Sequence, residues 1–535
     1  MPVEINTQTI SGAKIVIETL KKLSVDTVFG YPGGVVLDLY DELYKQNDIK
    51  HILVRHEQSA VHTAEGYARE SSKCGVVFVT AGPGATNTVT GIVNAYLDSY
   101  PVLVIAGSVS KDCNQNGYQD VNLCEMTKSC TKAGFKITNA NDIQNTITKA
   151  HDIAMSGKKG PVVIEILKDV LSQNIEYNRD FEYQRQKTNL QNPDIQILCS
   201  RLKYSKKPII VAGGGVHHSN AYDELNIFAK QHNIPVVCSM MGIGSYNQNE
   251  DNYFGMIGVN GDNCANELVK QSDLIISLGC RFNNRVTCIF DSDNIITKTV
   301  CIDIEAPKQF SDCIRADIKT ILQKLNDENI NNYSHWCNIA KEYKKLNKPQ
   351  KKLSNMLHGF EVLQKLNEYT KNKNVIFTSD VGQHQVLAVK NLTLGKDRKI
   401  YVSGGSGTMG FGLPCAIGAA IANPESCIVC ITGDGSFQMS LNELAICSDL
   451  GLNIKVVILN NGYLGMVRQL QEQNCAGRYS QTKISNPDFV KLAQSYGIEA
   501  LKVQSSAGID KALESAFSKK NTFILDFDIE SLEIV

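Results

Sequence analysis

The sequence lacks the features that would mark a membrane protein, a nucleic-acid-binding protein or a secreted protein. No aliphatic stretch reaches the about 20 residues needed to cross a bilayer. The 54 basic and 55 acidic residues nearly cancel, so no excess positive charge favours nucleic acid. The polar segment Met1 to Gly12 does not have the layout of a secretion signal. We therefore expect a cytoplasmic protein that binds small molecules, with no nucleic-acid or membrane partner.

The 17 cysteines show no spacing typical of zinc ligands. The single CxxC pair, Cys427 and Cys430, lies within an apolar strand-like run, where thiols usually pack in a core. In a reducing cytosol the cysteines are expected to remain thiols.

The length and the apolar pattern predict three domains. At 535 residues the chain exceeds the size at which one hydrophobic core keeps growing. Three stretches alternate short β-branched runs with helix-length segments, which is typical of parallel sheets with crossover helices. Polar segments at 172–192 and 329–354 separate the stretches, as linkers would. We predict an α/β fold of three doubly wound parallel-sheet domains, at residues 1–172, 190–345 and 358–535.

Twelve strands are predicted from apolar runs. They are Thr27–Gly30, Ile52–Arg55, Gly75–Thr80, Val102–Ala106, Val162–Ile166, Ile209–Ala212, Leu274–Leu278, Val300–Ile304, Val375–Thr378, Ile428–Ile431, Val456–Leu459 and Phe523–Asp526.

One pair of segments indicates the class of chemistry. An apolar run is followed by Gly433-Asp434-Gly435-Ser436, and the next apolar run ends in Asn460-Asn461-Gly462. Glycines at a strand end let the backbone close around a diphosphate, while a carboxylate and an amide oxygen are hard ligands for Mg²⁺. One crossover helix would return Asn461 beside Asp434 on a neighbouring strand. Each half alone could be an ordinary turn, but together they predict a site for a diphosphate and Mg²⁺.

This arrangement resembles the thiamine diphosphate (ThDP) binding motif of the pyruvate decarboxylase superfamily. Within it, the chain is most similar to the catalytic subunit of acetolactate (acetohydroxyacid) synthase, and the likeness covers nearly its whole length. The matching segments begin at Tyr31, His56, Ala64, Gly82, Ser129, Gly382, Gly407 and Gly462. The resemblance implies the three-domain fold of that family, with ThDP and Mg²⁺ as cofactors. It also implies decarboxylation of pyruvate and carboligation of the two-carbon unit to a second carbonyl, giving 2-acetolactate for branched-chain amino-acid biosynthesis.

The resemblance assigns three residues to the chemistry itself. Glu57 matches the glutamate that favours the cofactor tautomer able to remove the proton from thiazolium C2. Gln119 matches the glutamine that binds the substrate oxyanion. Met409 matches the apolar wedge that bends the cofactor, although a lone methionine would otherwise be core filler. In relatives the glutamate reaches a cofactor held by the partner subunit. A homodimer or homotetramer with active sites at the subunit interface is therefore implied, and a regulatory small subunit is a candidate partner.

The remaining cofactor contacts are assigned by position. The pyrimidine pocket is expected to contain Tyr31, Gly33, Pro83 and Asn87. The diphosphate and thiazolium are expected to contact Val381, Gly382, Gln383, His384, Gly407, Gly433, Gly435, Ser436, Gly465 and Met466. The Mg²⁺ ligands are expected to be Asp434, Asn461 and the carbonyl of Tyr463.

The middle stretch resembles the FAD-binding elements of the same family. The residues concerned are Gly213, Gly214, Gly215, Gly279, Arg281 and Asp303. A triple glycine alone could be any strand-to-helix turn, and Asn283-Asn284 and Val259-Asn260 depart from the family's usual pairs. FAD with no net redox role is expected as a third cofactor.

Two departures from the family bear on the acceptor substrate. Leu470 stands where the family has a tryptophan that narrows the acceptor pocket, and the chain ends at Val535, where synthases continue into a tail. The end at Val535 could be only a boundary of the sequence. Taken together, the two departures favour an acceptor larger or less constrained than a keto acid, such as a nucleotide-linked keto sugar or another bulky ketone. Oxidase or acetyl-phosphate chemistry is a further alternative. A scaffold that has lost activity is disfavoured because Glu57, Gln119 and the predicted metal ligands are present.

Overall fold

The structure is a computed structural model that describes residues 7–112, 117–179, 183, 194–305, 307, 309–346 and 356–535. The predicted linkers at 172–192 and 329–354 lie partly outside these residues. Within the described ranges no helix has both the length and the apolar character that a membrane span requires.

In its described residues the first region contains eight strands and eight helices. Its strands are β1 (Thr7–Ser11), β2 (Thr27–Gly30), β3 (Lys50–Leu53), β4 (Gly75–Val79), β5 (Val102–Ser108), β6 (Ala133–Ile137), β7 (Val162–Leu167) and β8 (Asn174–Asn178). Its helices are α1 (Gly12–Lys22), α2 (Leu37–Tyr44), α3 (Glu57–Ser71), α4 (Pro83–Thr86), α5 (Val89–Asp98), α6 (Leu123–Met126), α7 (Ile143–Met155) and α8 (Lys168–Ser172).

The part of the middle region that the structure describes contains six strands and eight helices. Its strands are β9 (Pro208–Ala212), β10 (Val236–Cys238), β11 (Tyr253–Met256), β12 (Leu274–Leu278), β13 (Thr299–Asp303) and β14 (Asp312–Arg315). Its helices are α9 (Gln196–Tyr204), α10 (Gly215–Ser219), α11 (Tyr222–His232), α12 (Asn263–Gln271), α13 (Asn284–Thr287), α14 (Ser292–Thr297), α15 (Ile318–Asn326) and α16 (Ser334–Leu346).

The third region also contains six strands and eight helices. Its strands are β15 (Val375–Ser379), β16 (Ile400–Val402), β17 (Cys427–Gly433), β18 (Ile454–Asn460), β19 (Glu499–Val503) and β20 (Phe523–Asp528). Its helices are α17 (Gly359–Tyr369), α18 (Gln383–Asn391), α19 (Gly412–Ala422), α20 (Asp434–Phe437), α21 (Leu444–Asp449), α22 (Gly465–Asn474), α23 (Phe489–Ser495) and α24 (Ile509–Phe517). Short 3₁₀ turns lie at Ala140–Asp142, Met240–Gly242, Leu441–Glu443 and Ser506–Gly508.

These strands form three six-stranded parallel sheets, which confirms the predicted α/β class. The strand orders are β3-β2-β4-β5-β7-β6, β11-β10-β9-β12-β13-β14 and β16-β15-β17-β18-β20-β19. A separate two-stranded antiparallel sheet joins β1 to β8. In each large sheet the chain adds strands on one side of its first strand and then crosses to the other side. Such a switch point leaves a crevice at the carboxyl ends of the strands, where ligands bind in open α/β sheets.

The chain divides into two compact units. The first comprises Met1–Lys187, Ile376–Gln385 and Tyr401–Leu532, and the second comprises Thr188–Val375, Val386–Ile400 and Glu533–Val535. In the first unit, one apolar core is shared by residues of the first and third regions. The second unit has its own core around β9, β12 and β13. The three domain boundaries drawn from the sequence remain predictions.

Within the first unit, α3 and α19 cross at unusually short range. A Cβ on Gly66 would lie 2.2 Å from the carbonyl oxygen of Cys415, and one on Gly418 would lie 1.9 Å from that of Thr63. Two glycines, one on each helix, therefore allow backbone to meet backbone. Because α3 begins at Glu57, this crossing fixes the helix that carries the predicted activating glutamate.

All twelve predicted strands are present, with ends that differ by at most two residues. The strands missed are β1, β6, β8, β10, β11, β14, β16 and β19. Most of these are short or lie at a sheet edge, where one face is exposed. In β6 and β19, for example, buried and exposed residues are mixed, whereas all of β4, β5 and β7 are buried. Strands that are covered on both faces produce the longest continuous apolar runs, whereas β10, although buried, is only three residues long.

The cysteines of the described residues are all free. Cys430 is buried on β17, as the strand-like context of the CxxC pair predicts, and Cys427 is half-buried at the start of the same strand.

Candidate active site

Predicted pyrimidine-pocket residues follow four adjacent strands of the first sheet. Tyr31 and Gly33 follow β2, Glu57 follows β3, Asn87 follows β4 and Gln119 follows β5. A Cβ on Gly33 would lie 2.5 Å from the side chain of Thr80, so the loops after β2 and β4 meet at the switch point. The parallel topology therefore gathers residues up to 88 positions apart at one edge.

Glu57 is the first residue of α3 and lies half-buried at this edge. Asn87 donates its Nδ2–H to Oε2 of Glu57 at 3.0 Å, which fixes the orientation of the carboxylate. A Cβ on Gly84 would lie 3.4 Å from Oε1, so α4 packs against the other oxygen. Sequence reasoning placed Glu57 and Asn87 in one pocket, and the structure brings them into direct contact.

Gln119 has a left-handed backbone, with φ of 62°, which a non-glycine residue rarely adopts. It packs on Gly82, where a Cβ would lie 2.7 Å from Cβ of Gln119. Gly82 itself has φ of 62° and ψ of −123°, a conformation open essentially to glycine alone. Strained residues of this kind cluster at functional sites. The close packing on Gly82 holds the backbone of Gln119 at this edge of the sheet.

The predicted metal ligands lie at the carboxyl ends of β17 and β18, which are parallel neighbours as the sequence indicates. Oδ2 of Asp434 accepts the backbone N–H of Gly462 at 3.0 Å and the Nδ2–H of Asn486 at 2.7 Å. Oδ1 of Asn461 accepts the N–H of Tyr463 at 3.0 Å. Burial raises the pKa of the Asp434 carboxyl. Asp434 and the 461–463 turn are therefore held together before any ion binds.

Glycines 382 and 433 form a cradle around His384. A Cβ on Gly382 or Gly433 would lie 2.6 or 2.7 Å from the imidazole ring. Burial lowers the pKa of His384 to about 3, so the ring is neutral at physiological pH. Its buried Nε2 has no hydrogen-bond partner among the described residues. Because buried polar atoms are nearly always paired, this nitrogen is available to a polar group of a ligand.

Four other residues predicted to contact the cofactor lie at the same end of the third sheet, namely Val381, Gln383, Ser436 and Gly465. Oε1 of Gln383 accepts from Nδ2 of Asn461 at 3.3 Å, and a Cβ on Gly465 would lie 2.1 Å from Oε1 of Gln383. The hydroxyl of Ser436 donates to the carbonyl of Val381 at 3.0 Å. The α22 helix begins at Gly465, so its first backbone N–H groups and positive dipole end face this region.

Met409 is half-buried in the segment between β16 and α19, close to the glycine loop after β17. A Cβ on Gly435 would lie 4.0 Å from Cε of Met409. Asp380, which the sequence did not single out, accepts the N–H groups of Gly410 at 2.9 Å and Gly412 at 3.0 Å. Burial raises the pKa of Asp380 to about 6, while these amides favour its ionised form. Asp380 thus fixes the backbone directly after Met409.

Family models match each of the three regions. The N-terminal TPP binding domain of thiamine pyrophosphate enzymes matches residues 10–159, the central domain matches 195–325 and the C-terminal TPP binding domain matches 380–527. The acetolactate synthase large subunit of Haemophilus influenzae is 37% identical over 98% of this chain and 96% of its own length. That of Lactococcus lactis is 38% identical over 92% and 88%. The isozyme 2 large subunit of Escherichia coli is 33% identical over 98% and 97%.

The chain belongs to the acetolactate synthase family of thiamine pyrophosphate enzymes. Thiamine pyrophosphate is the same compound as ThDP, and the residues of this family member fit its diphosphate group. The unpaired Nε2 of His384, the glycines around it and the start of α22 all lie at the switch point between β15 and β17. In the described residues no cluster of three or more His, Cys, Asp or Glu side chains could hold a metal. A hard cation bound by Asp434 would instead need amide and carbonyl oxygens, such as those of Asn461 and Tyr463.

The predicted flavin residues of this family member lie at the middle sheet's switch point. Gly213 to Gly215 follow β9, Gly279 and Arg281 follow β12, and Asp303 ends β13. A Cβ on Gly213 would lie 2.3 Å from the carbonyl oxygen of Gly279, and one on Gly215 would lie 2.7 Å from its Cα. These glycines are therefore required for contact between the two loops. Only Gly214 lies outside that contact, with Met241 at 3.3 Å from its Cβ position.

Leu470 is 48% exposed on α22, and Val467 on the same helix face is 44% exposed. Arg468 and Gln469 are buried on the opposite side. Leu470, which is predicted to shape the acceptor pocket, is therefore not part of the apolar core of its own unit.

Several polar residues of the site were missed by sequence reasoning. They are Asp380, Asn486, Glu443, Asn94 and Asp98. Asp380 directly precedes the predicted Val381-Gly382 segment, and an acidic residue at a strand end was a usable signal. Asn486 contacts Asp434 from 52 residues away and has no local motif.

Proposed function

We propose that this chain is a ThDP- and Mg²⁺-dependent acetolactate synthase, which decarboxylates pyruvate and joins the two-carbon unit to a second pyruvate to give 2-acetolactate. The observation that carries the proposal is the group of residues around Asp434 and His384 at the third sheet's switch point. It has a carboxylate, an amide oxygen and an unpaired buried nitrogen where a metal diphosphate would need them. The reaction, acetolactate formation, is taken from the names of the similar proteins, which are acetolactate synthase large subunits.

Bound ThDP would supply an acidic carbon and an electron sink that allows a 2-keto acid to lose CO₂. The chain would bind the diphosphate through Gln383, His384 and the amides at the start of α22, and Mg²⁺ through Asp434, Asn461 and the Tyr463 carbonyl. Glu57 would hold a proton at the cofactor's aminopyrimidine, with its carboxylate oriented by Asn87. Gln119 would donate its side-chain N–H to the substrate oxyanion.

Subunit association is part of this proposal. The two candidate edges expose large apolar side chains, with Tyr31 41% and Tyr118 86% exposed at the first sheet, and Met439 59% and Leu470 48% exposed in the third region. Exposed apolar clusters next to a site mark surfaces that a partner or ligand covers. In a homodimer, Glu57 of one subunit would contact the cofactor bound by the other subunit, and the interface would cover both edges. A homotetramer would contain two such dimers.

Three further parts of the sequence-based expectation belong to the proposal. FAD would bind at the carboxyl ends of β9, β12 and β13, near Arg281 and Asp303. The relatives are named large subunits, which supports a regulatory small subunit as partner. We also propose that the protein is cytoplasmic.

A second acceptor is favoured by one observation. Leu470 is smaller than the tryptophan of the family and half-exposed, so it leaves room for a bulky ketone such as a nucleotide-linked keto sugar.

The experiment that tests the proposal is an acetolactate colour assay with pyruvate as the only substrate, plus ThDP, Mg²⁺ and FAD. We expect acetolactate from the wild type and almost none from Glu57→Gln, which keeps the shape of the side chain but cannot accept the proton. Measured in parallel, ThDP affinity should be the same for both proteins. No consumption of pyruvate alone, with turnover restored by an added bulky ketone, would favour the second acceptor. Consumption of pyruvate without acetolactate would reject the synthase activity.

A further inference from the structure

The loop of residues 403–408 connects β16 to Met409 and has two anchors on a helix of the first region. The hydroxyl of Ser403 donates to Oδ1 of Asn94 at 2.5 Å, and the hydroxyl of Thr408 donates to the same oxygen at 3.0 Å. The N–H of Thr408 donates to the hydroxyl of Ser403 at 2.9 Å, which ties the two ends of the loop together. One amide oxygen of α5 therefore holds both ends of the loop.

The middle of the loop is held one helical turn further along α5. Asp98 accepts the N–H of Gly405 at 2.7 Å with Oδ1 and that of Gly404 at 3.3 Å with Oδ2. A Cβ on Gly405 would lie 2.7 Å from Cβ of Leu97, so the loop rests directly on the helix. A glycine-rich segment is costly to order, at about 1–2 kcal/mol per residue. The bonds from Asn94 and Asp98 offset this cost.

Asn94 and Asp98 are themselves fixed by α3. Arg69 donates to Oε1 of Glu65 at 2.5 Å and to Oδ2 of Asp98 at 2.7 Å, and Nδ2 of Asn94 donates to Oε2 of Glu65 at 2.8 Å. All four side chains are buried. In a low-dielectric interior such a fully paired network is rigid, and removing one member leaves the others without partners. The helix that supports the loop is also the helix that begins at Glu57.

Met409 lies between this network and Asp380. Thr408 is bonded to Asn94 on one side, and Gly410 donates to Asp380 at 2.9 Å on the other. The Cα of Met409 is thereby held from both neighbours, whereas its side chain makes no hydrogen bond of its own. Its position depends on the two buried polar groups that flank it.

We propose that Asn94, supported by Glu65, Arg69 and Asp98, is a positioning residue that holds Met409 against the bound cofactor. The inference rests on the proposed role of Met409 as the wedge that bends ThDP. Asp434, Asn461 and His384 share no hydrogen bond with Asn94, Glu65, Arg69 or Asp98 in the described residues. The loop itself includes Gly407, an expected cofactor contact, so cutting the network should slow cofactor activation more than it weakens cofactor binding.

The test uses the holoenzyme and measures H/D exchange at ThDP C2, together with calorimetric ThDP affinity in the presence of Mg²⁺. Asn94→Ala and Thr408→Val remove the same hydrogen bond from its two ends, and Thr408→Ser keeps the hydroxyl. We expect each of the first two to slow exchange on the order of tenfold, with affinity within about threefold of wild type, because small misplacements near reacting groups have such effects. Thr408→Ser should restore exchange, and the double variant should be no slower than Asn94→Ala alone.

Glu70→Gln provides the matched control. Glu70 also joins α3 to the third region, since it accepts from the hydroxyl of Tyr401 and from Nδ2 of Asn423, and both of these partners lie outside the 403–408 loop. Exchange in this control should match the wild type. Normal exchange in Thr408→Val, or equal slowing in Glu70→Gln, would overturn the proposal. If Asn94→Ala does not fold, the comparison of exchange rates between Thr408→Val and Thr408→Ser tests the proposal. Because exchange needs no acceptor substrate, a failed acetolactate assay would leave this test intact.

Discussion

The carboxyl group of Glu443 provides a sharp test of how the third region supports the helix that carries Glu57. Glu443 is completely buried and accepts the backbone N–H of Arg55 with both oxygens, at 3.1 and 3.2 Å. Ser59 and the backbone of His56 also favour the ionised form of this carboxyl. Glu443 thus satisfies the N–H of Arg55, which precedes α3 and has no partner within the helix. The perturbation is Glu443→Gln, which preserves size and one acceptor oxygen.

The magnitude follows from the pKa of this group. Burial raises the pKa of Glu443 from 4.5 to about 7, although its hydrogen-bond donors favour the ionised form. A folded-state pKa above the unfolded value means that stability is fully present below pH 4.5 and is lost as pH rises through 7. A pKa difference of about 2.5 units at about 1.4 kcal/mol each corresponds to about 3.5 kcal/mol. Most of this, about 2–3 kcal/mol, is lost between pH 5 and pH 8. The amide introduced by Glu443→Gln cannot ionise, so the variant should not show this loss.

The assay is urea unfolding of the cofactor-free protein at pH 5, 6, 7 and 8, followed by far-ultraviolet circular dichroism at one protein concentration. We expect the free energy of unfolding of the wild type to fall by about 2–3 kcal/mol relative to Glu443→Gln over this range. Asp449→Asn is the control, because Asp449 pairs with the side chain of Arg55 at 2.9 Å but is largely exposed. Its difference from the wild type should not change with pH. A wild type that gains stability over the variant as pH rises would refute the reasoning and show that the donors outweigh burial.

Three further outcomes are expected. Asp434→Ala should abolish Mg²⁺-dependent ThDP binding in calorimetry, because the ion would lose its only charged protein ligand, and unchanged affinity would mean that the cofactor site is misplaced. Leu470→Trp should raise the preference for 2-ketobutyrate over pyruvate in competition, by a factor within the about 1–3 kcal/mol that a methylene provides, and an unchanged product ratio would remove Leu470 from the pocket. Gly418→Ala should lower the free energy of unfolding by about 1–3 kcal/mol in a urea titration, because its Cβ would lie 1.9 Å from the Thr63 oxygen. Gly395→Ala is the control and should be nearly neutral, because its Cβ would lie 3.8 Å from the nearest atom, Cα of Asn247.

The fold class could be predicted from the sequence because buried parallel strands have a recognisable local sequence pattern. Strands such as Val102–Ser108 are covered on both faces and therefore appear as continuous apolar runs. Edge strands such as Glu499–Val503 mix buried and exposed residues, so they have no continuous apolar run and were not predicted. The core shared by the first and third regions was not predicted either, because it depends on glycines 66 and 418, whose function is apparent only when two helices cross.

The sequence by itself determined the residues that lie within short motifs at strand ends. Glu57, Asp434, Asn461 and His384 belong to such motifs, and the parallel topology then brings each group to one sheet edge. The tertiary structure alone decided which buried polar groups hold them. Asn94 meets Thr408 across 314 residues, and Glu443 meets Arg55 across 388. Contacts at such separations are chosen by the packing of whole helices and sheets, so no spacing in the linear sequence records them.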